Sequence, residues 1–148
     1  MAKFSFAMEP VLMYRQKLEE QAQMEVAKVV QVIAKIEDNL ERAKNEEIQL
    51  RQVRAGNFAQ GQIIMDYGQA DYQNYLREYQ QSMKQQLQQC RQLLEKKRKE
   101  LLKKSQEKKA LELLRDKQKE EFRKEQLHKE IKFLDDLSGI SDHFRRKD

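Results

Sequence analysis

Residues 56–68, with the sequence Gly-Asn-Phe-Ala-Gln-Gly-Gln-Ile-Ile-Met-Asp-Tyr-Gly, decide how this chain folds. Three of the four glycines in the sequence lie in these thirteen residues. Glycine weakens a helix by about 1 kcal/mol relative to alanine, and it readily adopts the left-handed conformation that ends a helix. We therefore predict a hinge over residues 55–68, with a long helix on either side of it.

The composition favours a narrow apolar stripe over a large core. Of the 148 residues, 37% are charged and 7% are aromatic, and there is no Trp. The mean hydropathy of −1.01 is correspondingly low. Such a chain either stays disordered or buries a stripe along paired helices. Apolar residues at steps of three and four, sustained over six heptads, indicate the paired helices.

Helix one is expected over about residues 10–54. Pro10 suits a first helical turn, because its missing N–H costs nothing there. Arg15, Glu25 and Glu47 occupy gaps in the apolar pattern. The apolar positions expected in its seam are Val11, Leu18, Ala22, Val29, Val32, Ile36, Leu40, Ala43, Leu50 and Val53, with Val26 and Ile33 widening the stripe.

Helix two is expected over about residues 69–137, with Ser138 and Gly139 as its stop and residues 138–148 as a frayed tail. Its expected seam contains Tyr72, Leu76, Tyr79, Met83, Leu87, Cys90, Leu94, Leu101, Leu111 and Phe122. The predicted fold is all-α: a single domain forming an antiparallel two-helix coiled-coil hairpin, whose long C-terminal helix overhangs the N-terminal one.

The overhang is predicted to begin near residue 115, if Arg54 lies opposite Gln69. Phe4 and Phe6 could fold back and cover part of it. Its apolar residues are Leu127, Ile131, Phe133, Leu134 and Leu137. An apolar surface on a lone helix usually indicates a binding partner.

No arrangement of residues points to catalysis, a metal or a cofactor. Cys90 is the single cysteine, so it forms no internal disulfide and is expected to pack as a small apolar residue. His128 and His143 have neither metal-ligand spacing nor a nucleophile beside them. Gly56 and Gly61 lack the Lys-Ser/Thr of a phosphate loop. We expect a non-enzymatic protein without a cofactor.

The start of the sequence gives no targeting signal. Its first thirty residues contain no long uncharged apolar run, so we expect neither a signal peptide nor a transmembrane segment. The expected location is the cytoplasm.

Positive charge is concentrated in residues 96–124, which hold thirteen Lys/Arg and six Asp/Glu, a net charge of +7. The rest of the chain has a net charge of −2. A solvated helix face, an acidic protein partner and nucleic acid are the possible interpretations. Nucleic acid is the least favoured, because this region has no recognisable base-reading module and lacks stacking aromatics.

Three tyrosines follow the hinge. Tyr72 and Tyr79 are expected to share the seam with Leu76. Tyr75 lies about 100° from Leu76 around the helix and should face outward. An exposed tyrosine loses little conformational entropy on contact, so Tyr75 is a candidate anchor for a partner.

The order of the motifs along the chain resembles that of the FliJ family of flagellar type III export proteins. The matching residues are Phe4-x-Phe6, Glu9-Pro10-Val11-Leu12-x-x-Arg15, Tyr72-x-x-Tyr75-Leu76 after the hinge, Lys108-Lys109-Ala110-Leu111-Glu112-x-Leu114, and Glu130-Ile131-x-x-Leu134-Asp135-Asp136. The likeness covers nearly the whole chain in order and in length.

The resemblance implies the central stalk of a hexameric flagellar export ATPase. Such a stalk enters the pore of the ring, promotes its assembly and activity, links it to the export gate membrane protein and handles export chaperones. It implies a cytoplasmic protein that associates peripherally with the inner membrane at the flagellar base.

The resemblance also implies the contact surfaces. The export-gate contact maps onto Tyr75, Tyr79, Ser82 and Gln86. We assign the ATPase-ring contact to the terminal end, through Phe4, Phe6, Val11, Leu12, Arg15, Lys108, Lys109, Arg115, Lys117, Lys119, Phe122, Arg123 and Lys124.

Other interpretations stay open at this point. The stalk of a virulence injectisome shares the hairpin, a basic coiled coil could bind nucleic acid or ribosomes through residues 96–124, and a coiled-coil scaffold needs no ATPase. Periodicity alone does not distinguish a hairpin from a dimer of straightened helices.

Overall fold

The structure is a computed structural model that describes residues 2–61 and 66–147. Over these residues it contains two helices and no strand: α1 (Glu9–Ala59) and α2 (Asp66–Lys147). The two helices pack against each other, and the all-α prediction is confirmed. Contacting residue numbers rise on one helix as they fall on the other, so the helices run antiparallel.

The helix ends differ from those predicted. Helix α1 continues five residues past Arg54 to Ala59, and α2 begins at Asp66 and continues through Gly139 to Lys147. The predicted frayed tail over residues 138–148 is therefore wrong as far as the structure describes it. A single glycine costs a long, cooperative helix only about 1 kcal/mol, and no proline follows to block it.

Gly61 is the glycine that ends α1. Its φ is +78°, and its amide donates a hydrogen bond to the Phe58 carbonyl at 3.1 Å. Gly56 and Gly68 lie inside the helices. Of the three glycines in the predicted hinge, Gly61 is the one with the left-handed conformation. Residues 62–65 of the predicted hinge lie outside the described part of the chain.

The contacts divide the chain into two compact units, Glu20–Leu102 and Met1–Glu19 with Lys103–Asp148. We call them the Glu20–Leu102 unit and the terminal unit. The single-domain assignment stays a prediction.

The core of the Glu20–Leu102 unit is a cluster of aliphatic side chains from both helices. Val32 and Val53, which were expected in the seam, are about half exposed. Ile33 is buried instead of Val32 because it lies four residues after Val29 and three before Ile36, on the helix face that the other buried residues share. The buried cluster comprises Val29, Ile33, Ile36, Leu40 and Leu87, flanked by Met83, Cys90 and Leu94.

In the terminal unit, Leu12 near the start of α1 is buried, with 4% exposure. Val11, the expected seam residue, is 40% exposed. Arg15 contacts Glu107 at 2.6 Å, and Lys108 contacts Glu19 at 3.0 Å. Ion pairs therefore supplement a thin apolar contact in this unit.

Candidate interaction surfaces

Polar side chains fill most of the seam near the turn in the Glu20–Leu102 unit. Gln80 donates a hydrogen bond to Glu47 at 2.7 Å, Arg54 donates one to Gln73, and the Asn57 amide donates one to Gln69 at 3.3 Å. Glu47, Gln73 and Gln80 are all buried. The contact of Asn57 with Gln69 corrects the predicted pairing of Arg54 with Gln69, and it follows from the extension of α1 beyond residue 54.

Glu47 is the centre of this polar layer. Its carboxylate accepts hydrogen bonds from Gln80 Nε2, from Arg77 Nε at 2.9 Å and from Arg51 Nη2 at 2.8 Å. Hydrogen bonding, first from Gln80 and then from Arg77, lowers the pKa of Glu47 from 4.5 to about 2. The carboxylate is therefore charged at neutral pH, and it joins α1 to α2 at this point of the seam.

Tyr72, Tyr75 and Tyr79 form a tyrosine patch on α2. The rings of Tyr72 and Tyr75 stack with centroids 6.1 Å apart, and those of Tyr75 and Tyr79 are 6.4 Å apart. Tyr75 is 58% exposed, as expected for an outward position. Tyr72 is 43% exposed and Tyr79 half-buried, so the seam position predicted for Tyr72 is wrong, because Gln73 and Gln80 occupy the seam instead.

A groove of about 340 Å³ lies beside the patch. Hydrogen bonding to the Glu46 carboxylate raises the pKa of Tyr72 and ties the tyrosine patch to α1. Ser82 and Gln86 are exposed and continue the line of Tyr75 and Tyr79 at steps of three and four. The structure thus brings the four predicted gate residues onto one helix face. The groove is lined by Asn39, Arg42, Ala43, Glu46, Tyr72, Tyr75, Leu76 and Tyr79.

The N-terminal segment folds back onto α2 in the terminal unit. The ring of Phe4 lies 5.7 Å from that of Phe122, and Phe6 is 7% exposed. The Glu9 amide donates a hydrogen bond to the Phe6 carbonyl at 3.1 Å. Phe4, Phe122 and Leu127 line an open cavity of about 580 Å³, which we call the terminal notch.

The basic residues assigned to a ring contact differ in their surroundings. Arg15 and Lys108 pair with carboxylates on the opposite helix, and Arg123 pairs with Glu120 at 2.7 Å on its own helix. Arg115 is half-buried. Among all the residues assigned to the ring contact, basic or not, the exposed ones are Val11, Lys109, Lys117, Lys119, Arg123 and Lys124. Phe6 and Leu12 are buried and stabilise the unit, so they offer little surface to a partner.

The last part of α2 has an uncovered apolar side. All residues from 127 to 145 are exposed. The apolar ones fall on one half of the helix at 100° per residue. We call this set the apolar face: Leu127, Ile131, Phe133, Leu134, Leu137, Ile140 and Phe144. The prediction missed Ile140 and Phe144 because it ended the helix at residue 137, although their spacing from Phe133 and Leu137 is helical.

The described residues contain neither a cluster of metal-binding side chains nor a membrane-spanning helix. Across residues 2–61 and 66–147, no group of three or more His, Cys, Asp or Glu residues could hold a metal ion. In the same part of the chain, neither helix has a stretch apolar enough to cross a membrane. Three candidate interaction surfaces in the described part of the chain are the tyrosine patch, the terminal notch and the apolar face.

A comparison with protein families identifies the family of the chain that carries these surfaces. Residues 4–147 match the family model described as "Flagellar FliJ protein". The chain belongs to the FliJ family. Searches of curated proteins and of solved structures gave no match.

Membership in the FliJ family makes this chain a stalk-type component of flagellar protein export. The family is a structural and adaptor family and not a class of enzymes. The match covers both units and all three surfaces described above, so the surfaces can be considered together as parts of one export component.

Proposed function

We propose that this FliJ family member is the non-enzymatic stalk and adaptor of the flagellar type III export apparatus. It binds the hexameric export ATPase through the terminal unit and the export gate through the tyrosine patch, and it handles export chaperones. It works in the cytoplasm, at the inner-membrane face of the flagellar base. The family match over residues 4–147 is the observation that carries this proposal.

The apolar face supports the assignment of the terminal unit to the ring. Its seven side chains are each between 47% and 66% exposed. Together they leave on the order of 700 Å² of apolar surface in water, more than the largest patch of a typical monomer. Exposed Lys117, Lys119 and Lys124 add positive charge to the same unit. A partner that combines an apolar lining with acidic side chains fits this combination.

The gate assignment is supported by the shape and composition of the tyrosine patch. Stacked aromatic rings hold each other in place, so little conformational freedom is lost when a partner covers them. The groove beside them adds Asn39, Arg42 and Glu46, which can exchange hydrogen bonds with a partner backbone. Aromatic anchors bordered by polar groups are typical of binding hot spots.

The ring contact is tested by measuring the turnover and ring formation of the purified export ATPase. Wild-type chain should raise both and hydrolyse no ATP alone. The double variant Phe133→Ser/Leu137→Ser should lose the stimulation while circular dichroism shows unchanged helix. The control Asp135→Ser/Asp136→Ser alters the polar side of the same helix and should stimulate as wild type. Full stimulation by the Phe133/Leu137 variant would remove the apolar face from the ring contact.

The gate contact is tested separately, by pull-down of the cytoplasmic part of the gate protein. Tyr75→Ala should weaken capture at least tenfold, since truncating an aromatic hot spot costs about 1.5–2 kcal/mol or more. Tyr14→Ala is the matched control, because Tyr14 is 59% exposed but lies in the terminal unit. Equal capture by both variants would argue against the tyrosine patch.

Two alternative functions, an injectisome stalk and a nucleic-acid-binding protein, are distinguished from flagellar export by different observations. The matching family is the flagellar one, which favours flagellar export over a virulence injectisome. Nucleic-acid binding through residues 96–124 predicts an affinity that falls steeply with salt in a filter-binding assay.

A further inference from the structure

Helix α2 carries two overlapping series of residues that could each line a coiled-coil seam between residues 72 and 83. Both have steps of three and four, and both include Leu76 and Met83. The tyrosine series adds Tyr72 and Tyr79 to these two residues. The glutamine series adds Gln73 and Gln80.

Apolar burial by itself favours the tyrosine series. A buried tyrosine ring removes more apolar area from water than a glutamine, whose amide must also be desolvated. The structure nevertheless buries Gln73 and Gln80, at 5% and 8% exposure, and leaves Tyr72 exposed. Polar interactions must therefore select the glutamine series, and the hydrogen bond between Tyr72 and Glu46 at the surface is one of them.

The interaction inside the seam is provided by Glu47 on α1. Its carboxylate is buried in the seam and receives the Gln80 side-chain amide at 2.7 Å. With the tyrosine series in the seam, Tyr79 would bring one hydroxyl at the far end of a ring, and Gln80 would turn away. The loss of a donor to a buried carboxylate costs more than a typical hydrogen bond contributes, even though Arg51 and Arg77 also donate to Glu47.

We propose that Glu47 is a positioning residue: by drawing Gln80 into the seam, it holds Tyr72 at the surface and keeps Tyr79 half-buried at the edge of the seam. The exposed position of the tyrosine patch then depends on a buried side chain that lies outside the patch. The hydrogen bond that Arg54 donates to Gln73 likewise favours burial of the glutamine series. This inference concerns packing within the Glu20–Leu102 unit, so it does not depend on which partner binds the patch.

The test is the rate at which each tyrosine is nitrated, read by mass spectrometry on the full chain. In Glu47→Leu no buried carboxylate requires a hydrogen-bond donor. Burial of the tyrosine series then becomes more favourable than burial of the glutamine series. Tyr72 and Tyr79 should then be nitrated several-fold more slowly relative to Tyr14, which lies in the terminal unit and serves as the internal reference. Unchanged relative rates in a helical Glu47→Leu protein would overturn the proposal.

A second variant reverses the effect. In Glu47→Leu/Gln80→Leu, position 80 is apolar, so the original series regains the advantage and the tyrosines should return to wild-type nitration rates. Two facing leucines form an ordinary seam layer, so this variant keeps its fold even if the single variant does not. Slow nitration of Tyr72 and Tyr79 in the folded double variant would equally contradict the proposal.

Two further variants separate positioning from general loss of charge. Glu37→Leu removes a carboxylate that pairs with Arg91 at 3.4 Å on the exposed side of the same unit, and nitration should not change. Glu47→Gln keeps an acceptor for the Gln80 amide, so it should keep the wild-type pattern. Protection of the tyrosines in Glu37→Leu would show that any lost carboxylate suffices, and would contradict a specific role for Glu47.

Discussion

The low pKa of Glu47 makes the stability of the protein sensitive to acid. The pKa is about 2 in the folded chain, against 4.5 for the unconstrained side chain. A group whose folded pKa is depressed stabilises the fold fully above its unfolded pKa. We therefore expect the Glu47 contribution to be complete above about pH 4.5 and to be lost as the pH falls toward 2.

The size of the effect follows from the difference in pKa. At about 1.4 kcal/mol per pKa unit, the fall of the Glu47 pKa from 4.5 to about 2 corresponds to at most about 3.5 kcal/mol. The Arg77 and Arg51 side chains are 56% and 57% exposed, so solvent screens their part of the interaction. Because the Gln80 hydrogen bond is the largest cause of the shift, we expect about 2 kcal/mol to remain.

Urea unfolding followed by circular dichroism measures this contribution when wild type and Glu47→Gln are compared between about pH 7 and pH 2. Wild type should be the more stable at neutral pH, and its advantage should shrink through the acid range. Asp38→Asn is the control, since Asp38 forms an exposed pair with Arg42 at 3.2 Å. A difference between wild type and Glu47→Gln that stays constant over the whole range would refute the reasoning.

Three further predictions test the packing. Ile33→Ala should lower the free energy of unfolding by about 2–4 kcal/mol, whereas Val32→Ala should change it by less than about 0.5 kcal/mol, both measured by urea unfolding. Gly61→Ala should destabilise by about 1 kcal/mol because of its positive φ, and Gly56→Ala, inside α1 with open space around it, should stabilise by about 0.5–1 kcal/mol in thermal melts. Phe122→Ala should release the N-terminal segment, and its backbone amides should then exchange faster with solvent, without a change in helix content.

The pairing of the two helices could be predicted from the sequence because it depends on apolar residues that recur at regular spacing. Residues such as Ile36, Leu40, Leu87 and Leu94 recur at coiled-coil spacing, and burial of one stripe is the only way to remove them from water. The resemblance to the FliJ family was likewise carried by order and spacing along the chain, and the family match confirms it.

The residues that the prediction misplaced are those decided by interactions that spacing does not show. Tyr72 has the right spacing and apolar character for the seam, but a hydrogen bond between Glu47 and Gln80 across the two helices outweighs that preference. Ser138 and Gly139 have the composition of a helix stop, yet the cost of one glycine is small beside the cooperativity of a long helix.

The uncovered apolar side of α2 has a consequence for how much of this protein a cell can hold. Seven exposed apolar side chains on one helix promote aggregation and proteolysis when no partner covers them. Copies made in excess of the export machinery should therefore be short-lived or insoluble, so that supply must keep pace with assembly of each flagellar base.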